Sequence, residues 1–250
     1  MELITSTANE RVKAVKKLRQ KKFRDETGLF TAEGVNILSD MPASVRVRQF
    51  FIADGFKRGA EDIISRYEAE VFYVSDAVMS ALSDTVSPSG IIAVIERTPP
   101  VEAPSNALVL DGISDCGNLG TIIRTAAGAD FLNIFALDCA DAFAPKTVRA
   151  SMGGVFRTEI FEIDCKELAD RLTTYEKIRM DMEGGDVFGH CPSGRVALFL
   201  GNEAHGLSDF SRGLAETSLT LHMSNGQESL NVAVAAGIAM YVISDKQKNK

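Results

Sequence analysis

No stretch of this chain stays apolar for the roughly 18 residues that a membrane span requires. Met1-Glu2-Leu3-Ile4-Thr5 lacks the basic-then-apolar order of a secretion signal, so the expected location is cytoplasmic. Cysteine is scarce: Cys116, Cys139, Cys165 and Cys191 are scattered, and none forms a Cys-x-x-Cys pair. That argues against a zinc site or disulfide framework and for reduced, mostly buried thiols. His190 and His222 have no partner at metal-ligand spacing, and no metal is expected. Two familiar phosphate-binding signatures are missing as well. There is no Gly-x-Gly-x-x-Gly after a first strand and no Gly-x-x-x-x-Gly-Lys-Ser/Thr, which disfavours a common dinucleotide oxidoreductase or a P-loop enzyme.

The net charge of −7 conceals a polarised distribution. Residues 10–24 hold eight cations (Arg11, Lys13, Lys16, Lys17, Arg19, Lys21, Lys22, Arg24) against the single acid Glu10. A concentrated basic segment is the usual footprint of phosphate contact. A solvated helix face has the same composition, so the charge run alone does not choose between them. Val12, Val15 and Leu18 recur at helical spacing within it, with Asn9 as the N-cap.

Beyond the basic helix, Phe30-Thr31-Ala32-Glu33-Gly34 reads as a short strand and Val35 to Ser39 as a short helix. Strands are expected at Phe50–Ala53, Val71–Val74 and Gly90–Ile95, with a helix over 60–68. Residues 1–95 therefore form a small α/β module. Residues 96–106 contain three of the seven prolines and no periodicity, and read as a linker. In residues 107–250, short apolar strands (107–110, 133–137, 178–182, 196–200, 218–221) alternate with helices starting near Asn118, Lys146, Lys166, Ser208 and Ser229. Apolar strands separated by helices imply a parallel sheet covered on both faces, with ligands bound beyond the strands' carboxyl ends.

Three segments fall at those ends. After Leu110 comes Asp111-Gly112-Ile113-Ser114-Asp115-Cys116-Gly117-Asn118-Leu119-Gly120-Thr121-Ile122-Ile123-Arg124. After Leu200 comes Gly201-Asn202-Glu203-Ala204-His205-Gly206-Leu207-Ser208. After Leu221 a polar loop, Ser224-Asn225-Gly226-Gln227-Glu228, runs into Ser229-Leu230-Asn231 and then a helix in which every residue from Val232 to Ile243 is apolar or glycine. A helix apolar all round must be buried, here against another element or a second subunit. Asn118, Ser229 and Asn231 are candidate helix caps.

In type and order these three segments resemble the signature motifs of the SpoU/TrmH family (SPOUT superfamily) of RNA ribose 2′-O-methyltransferases. The basic helix, Phe30–Gly34 and Ser87-Pro88-Ser89-Gly90-Ile91-Ile92-Ala93 resemble the L30e-like substrate-binding domain attached to many of them. The resemblance implies an α/β chain: a C-terminal trefoil-knotted parallel-sheet methyltransferase domain and a smaller N-terminal α/β (L30e-like) domain. It implies S-adenosylmethionine (SAM) as cofactor, a homodimer and RNA as partner. The implied activity is ribose 2′-O methylation of 23S-type ribosomal RNA. The alternatives are a tRNA 2′-O-methyltransferase, a non-catalytic RNA-binding relative, and methylation of a base atom.

Residue by residue, the resemblance assigns Asn118, Arg124, Glu203, Ser229 and Asn231 to catalysis. Family proposals make the arginine help deprotonate the ribose hydroxyl. A guanidinium stays protonated in proteins, so binding the ribose–phosphate and stabilising developing alkoxide charge suits Arg124 better. Glu203 is expected to orient Arg124, contact ribose or bind across the subunit interface. Gly201, Leu221, Leu230 and the adjoining Met223 are the expected cofactor contacts, through backbone groups. Arg11, Lys13, Lys17, Lys21 and Arg149 are the expected RNA contacts; Lys146 and Arg157 carry charge in the same segment as Arg149.

Overall fold

The computed structural model describes residues 3–225 and 229–249, which form two compact units. In the first, the basic segment is two helices: α1 (Glu10–Lys17) and α2 (Lys21–Thr27). The Asn9 side chain accepts from the Arg11 N–H to start α1, and Gly28, at φ +66°, ends α2 in the left-handed conformation that a helix terminus favours. Val12, Val15 and Leu18 are the buried stripe of α1, packed with Phe51, Val74, Val78, Leu82 and Ile92. The chain continues through β1 (Leu29–Glu33), α3 (Val35–Ser39), β2 (Val47–Ala53), α4 (Lys57–Ile64), β3 (Glu70–Val74), α5 (Asp76–Leu82) and β4 (Ile91–Glu96). The sheet order is β1-β4-β2-β3, antiparallel except for the β2–β3 pair. Helix α5, capped by Ser75, goes beyond the sequence reading.

Two of the eight cations of the basic segment serve the fold itself. Arg24 is only 2% exposed and donates through Nη1 to the Leu18 carbonyl at 2.6 Å. Arg19 Nη2 donates to the Ala81 and Ser83 carbonyls at 3.0 and 2.5 Å. The buried Arg24 guanidinium must be hydrogen-bonded, and the exposed Arg19 reaches back to carbonyls too; the two close the C-terminal ends of α1 and α5. The remaining six are exposed.

The second unit begins at Pro100. Much of the expected linker is pinned into it. The Asn133 side chain holds the Ala103 N–H and carbonyl at 2.8 Å each, and Asn106 Oδ1 accepts the Val196 N–H at 2.9 Å. Tyr175 donates to Glu102 at 2.9 Å, and burial, aided by that carboxylate, pushes its hydroxyl up to about 12. From there the elements are β5 (Ala107–Asp111), α6 (Cys116–Gly128), β6 (Asn133–Leu137), α7 (Pro145–Ser151), β7 (Glu159–Glu162), α8 (Cys165–Arg171), β8 (Glu176–Asp186), β9 (Val196–Gly201), α9 (Asp209–Leu214), β10 (Thr217–Thr220) and α10 (Val232–Lys248). All six strands are parallel, in the order β10-β8-β9-β5-β6-β7. Strand β7 was not anticipated. Its four residues, Glu-Ile-Phe-Glu, are too short and too charged at both ends to stand out as an apolar run.

Residues Phe143–Phe156, including α7, belong to the first unit although they lie between β6 and β7 in the chain. The reason is aromatic. Phe143 and Phe156 lie 5.0 and 6.2 Å from the Phe30 ring, and the Arg97 guanidinium stacks 4.2 Å from the Phe143 ring. Arg149, at the end of α7, pairs with Asp84 at 3.7 Å.

Within the single chain, helix α10 is buried on one side. Ala233, Ala236, Ala239, Met240 and Ile243 are buried, whereas Val234 and Tyr241 are 51% and 55% exposed. Small residues let it approach α6 closely: a Cβ on Gly237 would meet the Thr125 methyl at 3.5 Å, and one on Gly128 the Tyr241 hydroxyl at 3.0 Å. The thiols depart from expectation. Cys116 and Cys139 are half-buried and Cys165 and Cys191 exposed, all four free.

Two outcomes check this packing. Ala236→Leu inserts three carbons into a fully buried position and should cost about 1–3 kcal/mol in urea denaturation; Val234→Leu should change stability by less than about 0.5 kcal/mol. Burial pushes the Cys139 thiol up to about 11, so it stays protonated at neutral pH. Iodoacetamide should therefore label Cys165 and Cys191 well before Cys139 when peptides are mapped by mass.

Candidate active site

Register sets the floor of the site. Strand β5 lies between β9 and β6, and Asp111 pairs with both Gly201 and Leu137, so three strands end at one level. Chain connections run outward from β5 in opposite directions, to β6–β7 on one side and β9–β8–β10 on the other. The end of β5 beside β9 is thus the topological switch point at which open parallel sheets bind ligands.

The turn after β9 is tightly specified. Asn202 and Gly206 exchange backbone hydrogen bonds at 3.0 and 2.9 Å, with Gly206 at φ +69°. A Cβ on Gly201 would lie 2.3 Å from the Gly206 carbonyl carbon, so glycine here is demanded by close approach and not by φ. Ala204, within the turn, does not adopt positive φ and carries no backbone strain of that kind. The Asn202 side chain organises the turn: Oδ1 accepts from Ala204 N and His205 N at 2.8 and 3.2 Å, and Nδ2 donates to the Gly112 carbonyl at 2.7 Å. The Asp111 carboxylate, at the end of β5, accepts from Ser208 N and Oγ at 2.9 and 2.6 Å.

Three assigned side chains meet in a line across the three segments. Asn231 Nδ2 donates to Asn118 Oδ1 at 3.0 Å, and Asn118 Nδ2 donates to Glu203 Oε1 at 2.6 Å. Both ends of the Asn118 amide are occupied, so its orientation is fixed. The capping roles differ from expectation. Asp115, not Asn118, caps α6, accepting from the Asn118 N–H at 2.8 Å, which frees the Asn118 side chain for this line. Asn231 is the N-cap of α10, accepting from Ala233 N and Val234 N at 2.9 and 3.3 Å; Ser229 precedes the helix.

A cavity of about 1000 Å³ opens beside this line, at the ends of β8, β9 and β10. The expected cofactor contacts Gly201, Leu221, Met223 and Leu230 all line it, as do Glu203, Ser229 and Asn231. Of the polar loop before α10, residues 226–228 lie outside the described residues. The cavity walls combine aliphatic side chains (Leu200, Leu207, Leu221, Leu230, Val232) with polar and charged ones that include Asp181, Asn202, Glu203 and Arg212, a mixture that can bury a small molecule and orient it. Arg124 is placed apart. It is exposed on α6, has no hydrogen-bond or ion-pair partner among the described residues, and is not oriented by Glu203, whose bonded partner is Asn118. The expected RNA contacts lie in the first unit. Arg11 stacks 4.8 Å from Phe72, Lys17 lies 5.4 Å from the Phe23 ring, Lys13 pairs with Glu10 and Lys21 with Asp25. All are surface pairs that a phosphate displaces at little cost.

Sequence reasoning passed over Asn202 and Asp111, although both stand inside the quoted motifs; each ends or follows a strand, which was the available signal. It also missed Asp181 and Arg212, which line the cavity from β8 and α9 and which no sequence spacing connects. The described residues contain no cluster of three or more His, Cys, Asp or Glu side chains arranged to hold a metal ion. Gly201→Ala should force the 202–206 turn open and lower stability by about 1–3 kcal/mol in urea denaturation. Unchanged stability would mean that the turn relaxes freely and does not constrain the site.

The chain is similar to known proteins over both of its parts. Residues 9–93 match the MRM3-like substrate binding domain. The chain is 31% identical to the 23S rRNA (guanosine(2553)-2′-O)-methyltransferase RlmP of Bacillus subtilis, over 96% of this chain and 98% of that protein. It is 27% identical to the mitochondrial rRNA methyltransferase 3A of Danio rerio, over 93% of this chain and 69% of that one. Among solved structures, the AdoMet-bound rRNA methyltransferase of Sinorhizobium meliloti superposes with a TM-score of 0.85 at 28% identity, covering 99% of this chain and 98% of that one. Residues 105–241, more than half of the chain, match the SpoU rRNA Methylase family, and the chain belongs to that family.

Proposed function

We propose that this chain is a SAM-dependent RNA (ribose-2′-O) methyltransferase that acts on 23S-type ribosomal RNA as a cytoplasmic homodimer. The observation that carries the reading is the Asn231–Asn118–Glu203 line at the mouth of a cavity beyond the carboxyl ends of parallel strands. The Bacillus relative, similar over nearly its whole length, methylates a ribose of 23S rRNA, and the Sinorhizobium relative binds AdoMet.

The cavity fits the cofactor. Its volume suits an adenosine with an amino-acid tail, and the missing Cβ at Gly201 brings backbone close to the wall. Gly201, Leu221, Met223 and Leu230 would hold it. When bound, SAM supplies an electrophilic methyl group. Arg124 binds the ribose–phosphate, holds the 2′-hydroxyl in line and stabilises the negative charge growing on its oxygen. Asn118, Asn231 and Glu203 present a pre-oriented polar edge to the nucleotide, with Ser229 beside them. The unit that holds residues 1–95 together with Phe143–Phe156 is the RNA-binding domain, and the rest of 107–250 is the catalytic domain, knotted as the family resemblance implies. The six exposed cations of α1 and α2, Arg11, Lys13, Lys17 and Lys21 among them, contact RNA phosphates, and Arg149 adds a further cation. Val234 and Tyr241, the large hydrophobic side chains exposed on α10, provide the face on which a second copy packs.

Tritiated SAM incubated with 23S rRNA and with tRNA, followed by nuclease digestion and mass analysis, should give a 2′-O-methylated nucleoside from the rRNA. No ribose methylation by folded protein would refute the proposal; methylation of tRNA alone would shift the substrate. Arg124→Ala should lower kcat by about 100-fold or more while SAM affinity stays within about twofold. Neutralising Lys17 and Lys21 together should flatten the salt dependence of RNA binding by roughly one logarithmic unit per cation, with SAM affinity unchanged.

A further inference from the structure

The turn that walls the cavity is the link between β9 and α9, and β9 lies between β5 and β8 in the sheet. On the β5 side the turn is held by Asn202 to Gly112 and by Ser208 to Asp111. On the β8 side one group does this work. The Arg212 guanidinium, on α9, donates through Nε to the Leu207 carbonyl at 3.3 Å and through Nη1 to Asp181 Oδ2 on β8. Its Nη2 lies 3.1 Å from where a Cβ on Gly206 would stand, so the glycine that turns the chain also makes room for the guanidinium.

Asp181 is well placed to receive it. Its side chain is 18% exposed, its Oδ1 accepts from its own neighbour Met182 N at 2.8 Å, and Arg179 Nε stands 3.5 Å from Oδ2. Arg179 in turn donates through Nη1 to the Ala215 carbonyl just beyond α9. Asp181, Gly206, Leu207 and Arg212 all line the cavity. We propose that Arg212 and Asp181 are positioning residues that lock the cavity-walling turn against β8 and so set the affinity of the SAM site, without taking part in methyl transfer. The inference rests on the proposed function, since it takes the cavity to be the cofactor site.

The mechanism depends on a fork. Arg212 serves two acceptors at once, on different elements, through two nitrogens of one rigid plane. A lysine carries the same charge on a single nitrogen and cannot hold both in that geometry. Charge alone therefore does not restore the lock. The pair also acts as one unit, so loss of either member should forfeit the same effect.

Arg212→Lys, Asp181→Asn and the double variant test this, with SAM binding measured by calorimetry and KM and kcat by methyl transfer to 23S rRNA. Each single variant should raise the SAM Kd and KM about tenfold, with kcat within about twofold of wild type. The double variant should be no weaker than the weaker single one. Thermal unfolding of cofactor-free protein should move little, which separates a local lock from general destabilisation. SAM affinity within twofold of wild type in folded Arg212→Lys and Asp181→Asn overturns the inference. So does a fall in kcat at unchanged KM, which would place the pair in the chemistry. If wild-type protein transfers methyl groups to RNA normally while both variants are unaffected, the proposed function stands and this inference alone fails. Wild-type protein that binds no SAM refutes both.

Discussion

The site depends first on the register between β5 and β9. Because Asp111 lies opposite Gly201, the first two motif segments leave the sheet side by side although 90 positions separate those two residues in the chain. One residue of slip would turn every side chain of β9 to the other face and carry the Asn202 turn away from Gly112. Fully buried apolar side chains along both strands make that slip expensive. Everything polar at the carboxyl edge is built on this alignment: Asn202 to Gly112, Asp111 to Ser208, and Asn118 to Glu203.

Close approach of backbones is the second constraint. Gly201 has no room for a Cβ because the chain folds back on itself within five residues, and Gly206 supplies the left-handed turn that lets it do so. This brings main chain into the cavity wall, beside aliphatic side chains and the polar groups of Asn202, Glu203 and Asn231. The helices then do separate tasks. Asp115 caps α6, which frees Asn118 to reach across to the other two segments; Asn231 caps α10 with one end of its amide and joins the line with the other.

Charge is divided between the units in the same economical way. Within the basic segment, Arg19 and Arg24 are consumed by backbone carbonyls, since the ends of short helices leave acceptors that need donors. The remaining cations stand on the exposed faces of α1 and α2, in surface pairs and over aromatic rings, where exchange of a carboxylate or ring for a phosphate costs little. Composition could count these eight cations but could not distinguish structural from available ones, because that difference lies in which of them reach backbone carbonyls in the fold.

Much of this was legible in the chain itself. Periodicity gave Val12, Val15 and Leu18 as a buried stripe, and apolar runs at 107–110, 133–137 and 196–200 marked parallel strands, because burial on both faces leaves no alternation to misread. The three polar segments, in order, identified the family, and the second and third hold residues that line the cavity. What only tertiary structure decided were relations between distant positions. Which side chain caps a helix depends on where the first turn closes, so Asp115 displaced Asn118. Whether α7 sides with its sequence neighbours or with Phe30 depends on aromatic packing across more than a hundred residues. The pairing of Asp181 with Arg212 belongs to no motif. Sequence determines local conformation and the pattern of burial through short-range physics; the partner of a charged side chain is set by where the sheet brings the chain back.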